Sequence, residues 1–175
     1  MSCLHTHAAE ITQSEIKFVG RAYLYEFEVN IDAPIDATRQ IVTDYNNTDK
    51  INDGVVDSRV LETYDEHNLK RKLWIEYCLL IFCFDLLFVE NVEEINGNKI
   101  VTTVIPQESN FKRGTATWTL TALSDTQTQI KVVAEQEPDF WIPPVIGPPL
   151  MRRAFTKEIE ETVEKIEQAA RQLSP

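Results

Sequence analysis

Hydrophobic and polar positions alternate most cleanly between Arg21 and Asp32. Tyr23, Tyr25, Phe27, Val29 and Ile31 fall on one face, and Leu24, Glu26, Glu28, Asn30 and Asp32 on the other. A period of two marks a half-buried strand. Ala33-Pro34 closes it, because proline has no N–H for a ladder and fixes its own φ. Asp32 is placed to cap a helix opening on Pro34. Over residues 34–45 the period lengthens to that of a helix, with Ile35, Ala37/Thr38, Ile41, Val42 and Tyr45 on one stripe. Asn46-Asn47-Thr48-Asp49 breaks it, 48–52 is at most a second short helical turn, and Asp53-Gly54 is a turn signal.

Six further strands are expected over residues 55–64, 69–79, 84–95, 99–105, 114–123 and 129–136. Asn96-Gly97 is the strongest hairpin signal, since both residues tolerate φ > 0. In 114–123, Ala116, Trp118, Leu120 and Ala122 face in, against four outward threonines. In 129–136, Ile130, Val132 and Ala134 face in. The segment PDFWIPPVIGPPLM, residues 138–151, carries prolines that oppose both helix and ladder. Residues 150–173 then form one long amphipathic helix. Its apolar stripe is Leu150, Ala154/Phe155, Ile159, Val163, Ile166, Ala170 and Leu173; Arg152, Arg153, Lys157, Glu158, Glu160, Glu161, Glu164, Lys165 and Glu167 mark the wet side.

The stretch LKRKLWIEYCLLIFCFDLLFVENV, residues 69–92, stands out. It reads as two antiparallel strands joined by a turn at Leu80–Phe84 that has no Gly, Pro, Asn or Asp. Such a turn is either buried under another element, or the rim of an apolar pocket, or a membrane contact. Glu76, Asp85 and Glu90 oppose a membrane-spanning helix here. Arg71, Leu73, Ile75, Tyr77 and Leu79 share the inner face of the first strand. In the second, periodicity does not choose between Phe84/Leu86/Phe88 and Asp85/Leu87/Val89. Alternate loops of an antiparallel meander lie at one end of the sheet. The apolar turn, the 107–113 loop with Phe111, and the Pro-rich segment with Phe140, Trp141 and Ile142 therefore gather at one greasy end, opposite a polar one.

The chain has 175 residues, and its composition suits one domain with a substantial core. A formal net charge of −11 argues against a nucleic-acid partner. Three cysteines, Cys3, Cys78 and Cys83, with apolar neighbours suggest reduced thiols in a cytoplasmic protein, although Cys78 and Cys83 stand close enough to bridge the turn. No secretory signal is visible. His5-x-His7 sits in a terminal tail, His67 reads as a surface histidine, and no set of metal ligands or cofactor motif appears.

Strand, short helices, six strands and a long helix make an α+β plan. Three stretches carry a resemblance: YEFEVNIDAPIDATRQIVTDYNN, RGTATWTLTAL…TQIKVVAEQ, and PLMRRAFTKEIEETVEKIEQAARQL. Together they resemble the helix-grip fold of the START-like (SRPBCC) superfamily, which includes Bet v 1-like proteins, polyketide cyclases and coenzyme Q-binding proteins. The resemblance implies a seven-stranded curved antiparallel sheet wrapped around the C-terminal helix, with one or two short helices between the first two strands. It makes residues 1–16 a flexible tail and 17–175 a single domain. It also implies a cavity for a hydrophobic small molecule such as a lipid, quinone or polyketide. Residues expected to line it are Tyr25, Phe27, Arg71, Tyr77, Trp118 and Phe155; Phe82, Phe84, Phe111, Trp141 and Ile142 are expected at its rim or at a membrane or partner contact. Binding or carriage is favoured over a cyclase or dehydratase, whose acid–base candidates are Glu76, Asp85 and Glu135. A protein or membrane module using the greasy end, homodimer included, is the third reading.

Overall fold

The computed structural model describes residues 9–79, 82–141 and 147–174, with the backbone alone at Tyr77, Leu79, Phe82 and Gly147. In chain order the elements are β1 (Glu10–Val19), β2 (Ala22–Ile31), α1 (Ile35–Val42), β3 (Val55–Thr63), β4 (Asn68–Leu79), β5 (Phe82–Ile95), β6 (Lys99–Val104), β7 (Phe111–Ser124), β8 (Gln127–Pro138) and α2 (Gly147–Leu173). Short 3-10 turns occupy Thr48–Lys50 and Pro106–Glu108. All strands join one antiparallel sheet in the order β1-β2-β8-β7-β6-β5-β4-β3. α2 lies across its concave face, so the architecture is α+β of the helix-grip type.

The sheet has eight strands, not seven. The extra one is β1, which includes residues 10–16 of the expected tail. Ile11 and Ile16 are an odd number of residues apart and cannot share a face of a regular strand. The register with β2 shifts between Ile11 and Gln13, so Thr12 forms a bulge that restores the phase. Gly20, at φ 63°, supports the tight return into β2. The Asn96-Gly97 hairpin forms as read, with φ of 53° and 70°.

β4 and β5 form a ladder that runs to the pair Leu79↔Phe82. Phe82, Cys83 and Phe84 therefore belong to β5 rather than to the turn, and Leu80 and Ile81 lie outside the described residues. The ladder sets Cys78 directly across from Cys83, and the two are joined in a disulfide. This corrects the expectation of reduced thiols, and with it goes the argument for a reducing compartment. Among the described residues no helix is long and apolar enough to cross a membrane.

Other corrections share one cause, tertiary context overriding local pattern. Asp32 does not cap α1: it accepts a bond from Gln127 Nε2 (3.0 Å) and pairs with Arg171 (3.1 Å). Phe111 opens β7 instead of lying in a loop. Pro148 and Pro149 sit in the first turn of α2, where backbone N–H groups have no helical acceptor to lose. Glu167, assigned to the wet side of α2, is buried; it accepts the Asp32 N–H (3.0 Å) and pairs with Arg171 (2.9 Å).

The C-terminal half of α2 anchors the fold. Ile159, Val163, Ile166 and Ala170 pack against Val29 and Ile31 of β2 and Ile130 and Val132 of β8, all buried. Ile166→Ala should lower unfolding free energy by about 2–5 kcal/mol. Urea denaturation would show this as a lower midpoint with unchanged slope; a loss under about 1 kcal/mol would mean that α2 is not seated as described.

Candidate functional site

Towards its N-terminal half α2 stands off the sheet, and a cavity of about 280 Å3 lies between them. That is near the lower bound of the roughly 300–1,000 Å3 usual for small-molecule sites. One wall is an aromatic ladder on β2. Tyr23, Tyr25 and Phe27 follow one another at 6.4 Å between ring centroids, and Phe155 of α2 stacks on Tyr25 at 5.7 Å. Trp118 of β7 meets Phe27 edge-on at 6.4 Å. Leu73 and Ile75 of β4 and Phe84, Leu86 and Phe88 of β5 form the opposite wall.

Polar groups enter this apolar space at a few places. Arg71 and Glu90 are direct cross-strand partners: Arg71 Nε donates to Glu90 Oε1 at 2.7 Å, and Nη2 lies 2.6 Å from the same oxygen in an ion pair. The Glu90 side chain is buried, at 6% exposure, and that of Arg71 is largely covered, at 12%. The Arg71 guanidinium also lies 5.1 Å above the Tyr45 ring, whose hydroxyl donates to Glu94 (2.9 Å). On α2, Glu158 Oε1 accepts from Asn52 Nδ2 at 2.7 Å. Tyr23 donates its hydroxyl to Gln136. The Tyr25 hydroxyl has no hydrogen-bond partner among the described residues, and burial pushes it well above the usual phenol range. The Glu90 and Glu158 charges push the same way and Arg71 opposes them. Burial also raises the Glu158 carboxyl above its ordinary value; the Asn52 bond opposes this and the Glu161 charge adds to it.

Residues 24–171 match the family of polyketide cyclase/dehydrase and lipid transport proteins. The chain belongs to that family. No curated protein matches it. Its fold is shared by a START superfamily protein from Mycobacterium smegmatis, at 17% identity and a TM-score of 0.67 over 86% of this chain and 99% of that one. The Zhui aromatase/cyclase from Streptomyces sp. R1128 gives 11% identity and 0.69 over 87% and 96%. A protein from Thermus thermophilus gives 15% and 0.68 over 86% and 98%. Membership in the polyketide cyclase/dehydrase and lipid transport family thus agrees with the cavity's position, while identities this low speak for fold alone.

Of the residues expected to line the cavity, Tyr25, Phe27, Arg71, Trp118 and Phe155 are there; the Tyr77 side chain lies outside the described residues. The expected rim separates. Phe84 lines the cavity and meets Phe140 at 5.9 Å. Phe111 is 1% exposed and stacks on Phe88 at 4.2 Å, so it is core rather than contact surface. Trp141 is 70% exposed, and the Phe82 side chain and Ile142 lie outside the described residues. Glu76 and Asp85 face each other outside the cavity, and Glu135 pairs with Arg113. None of these three carboxylates reaches the interior. His5 and His7 lie outside the described residues, and His67 is exposed in the β3–β4 turn.

Sequence reading missed Glu90, Glu158, Asn52 and Tyr45. A signal existed for two of them. Met151, Phe155, Glu158 and Thr162 recur at helical spacing beside the main apolar stripe of α2 and all line the cavity. Glu90 follows from the β4–β5 register once the turn is placed correctly.

Two outcomes follow. Arg71→Met should cost about 3–5 kcal/mol by leaving Glu90 buried without a partner, and Arg71→Met/Glu90→Leu should restore most of it; urea midpoints of the three proteins decide. For Glu158, a folded-state pKa raised above 4.5 means the folded protein holds the proton more tightly than the unfolded chain. Its contribution is present in full below that unfolded value and is lost as pH rises through the folded one. Glu158→Gln should therefore gain stability relative to the parent between about pH 4 and pH 7; denaturation at the two pH values would contradict this if the difference stayed constant.

Proposed function

We propose that this protein binds an apolar small molecule with a polar end in the cavity between the sheet and α2, and carries rather than transforms it. The observation that supports this is the cavity itself: an aromatic and aliphatic enclosure with few convergent polar groups, the usual make-up of a site for such ligands. Apolar walls supply affinity in proportion to the area they cover, and the polar groups supply orientation. Lipid-, quinone- and polyketide-like molecules all have this chemistry, in keeping with the family's span from cyclases to lipid transport.

A second reading draws on one observation. Glu158 is a carboxyl held in its protonated form to higher pH than usual, inside the cavity and near enough to Tyr25 to influence it. A proton donor so placed suits loss of water from a β-hydroxy carbonyl, the chemistry of a dehydratase.

Native mass spectrometry of the purified protein separates these readings. Carriage predicts a population with extra mass that apolar solvent releases unchanged. Leu86→Trp, which fills the cavity from β5, should lower that population at least tenfold while leaving thermal stability close to the parent. Released material altered in structure, with alteration abolished by Glu158→Gln, would favour the dehydratase. Retention unaffected by Leu86→Trp would remove the cavity from the account.

A further inference from the structure

Three charged side chains line the cavity among the described residues: Arg71, Glu90 and Glu158. The one cation is already matched. Arg71 directs Nε and Nη2 at the same oxygen of Glu90, and its remaining face rests on the Tyr45 ring. Glu158 has Asn52, a neutral amide, as its partner. Its second oxygen, Oε2, has no hydrogen-bond partner among the described residues, and neither has Oε2 of Glu90. The wall thus carries one negative charge when Glu158 is ionised and none when it is protonated. In neither state does it hold an unmatched cation.

Resting on the binding reading above, we infer that the cavity selects a molecule whose polar end donates hydrogen bonds and carries no negative charge, an alcohol or phenol in the simplest case, and rejects carboxylates of the same shape. A hydroxyl can donate to an open carboxylate oxygen and accept from Tyr25, whose own hydroxyl lacks a partner. A carboxylate entering the same space would lose its hydration, face Glu158 and find Arg71 committed to Glu90.

Isothermal titration of the full chain at pH 7 with three ligands of one shape tests this: 2-naphthol, 2-methoxynaphthalene and 2-naphthoate. The expected order is naphthol tightest, the ether weaker for want of a donor, and naphthoate at least tenfold weaker than naphthol. This order needs no variant. Glu158→Gln keeps an acceptor and removes the charge, so it should narrow the naphthol-to-naphthoate ratio to within about threefold. Naphthoate binding as tightly as naphthol, or a ratio unmoved by Glu158→Gln, overturns the charge selection while leaving cavity binding intact. If none of the three binds, the cavity reading fails and this inference with it.

Discussion

A straight helix laid across a bent sheet cannot touch it along its whole length, and this constraint shapes the molecule. α2 is seated where Ile159, Val163, Ile166 and Ala170 meet β2 and β8. The same helix turns Met151, Phe155, Glu158 and Thr162 toward the gap, and Phe155 meets the β2 tyrosines. Small residues, Ala116 and Thr102 on the sheet and Ala154 on the helix, leave the gap open. The gap is partly open to solvent and carries polar groups on its wall, so water can occupy it and it remains available to an occupant.

How much of this was legible in the sequence depended on how local the cause was. The alternation of Tyr23, Tyr25, Phe27, Val29 and Ile31 placed β2 and its inner face, because a half-buried strand needs only its own pattern to be recognised. Asn96-Gly97 placed a hairpin for the same reason. β1 escaped because a bulge at Thr12 broke its alternation and because an edge strand buries little. Glu158 and Glu167 escaped because acidic residues on an amphipathic helix are ordinarily solvated; only the partners brought by other elements, Asn52 and the Asp32 backbone, make these two exceptions.

The β4–β5 register shows how one local error spreads. A turn centred on Phe82 would have paired neither Cys78 with Cys83 nor Arg71 with Glu90. Closing the ladder at Leu79↔Phe82 yields both, along with the outward pair Glu76↔Asp85. A shift of one residue in a strand exchanges its faces, so the buried ion pair, the disulfide and the apolar wall of Phe84, Leu86 and Phe88 all rest on that single register.

The polar groups of the cavity are harder to justify by stability than its walls. Moving Arg71 and Glu90 out of water costs several kcal/mol for each ion, and their mutual attraction does little more than offset this; apolar residues of similar volume often serve stability as well or better. Glu158 adds a carboxyl whose raised pKa registers the same desolvation. A fold that needed only a core would be as well served by leucines at these positions. What the two carboxylates supply, with Arg71 holding one of them in place, and leucines do not, is a pair of fixed acceptors on an otherwise apolar wall. In such surroundings a hydrogen bond left unmade is expensive, and discrimination between a donor and an anion is correspondingly sharp. The arrangement that contributes least to folding is therefore the one most informative about what the cavity admits.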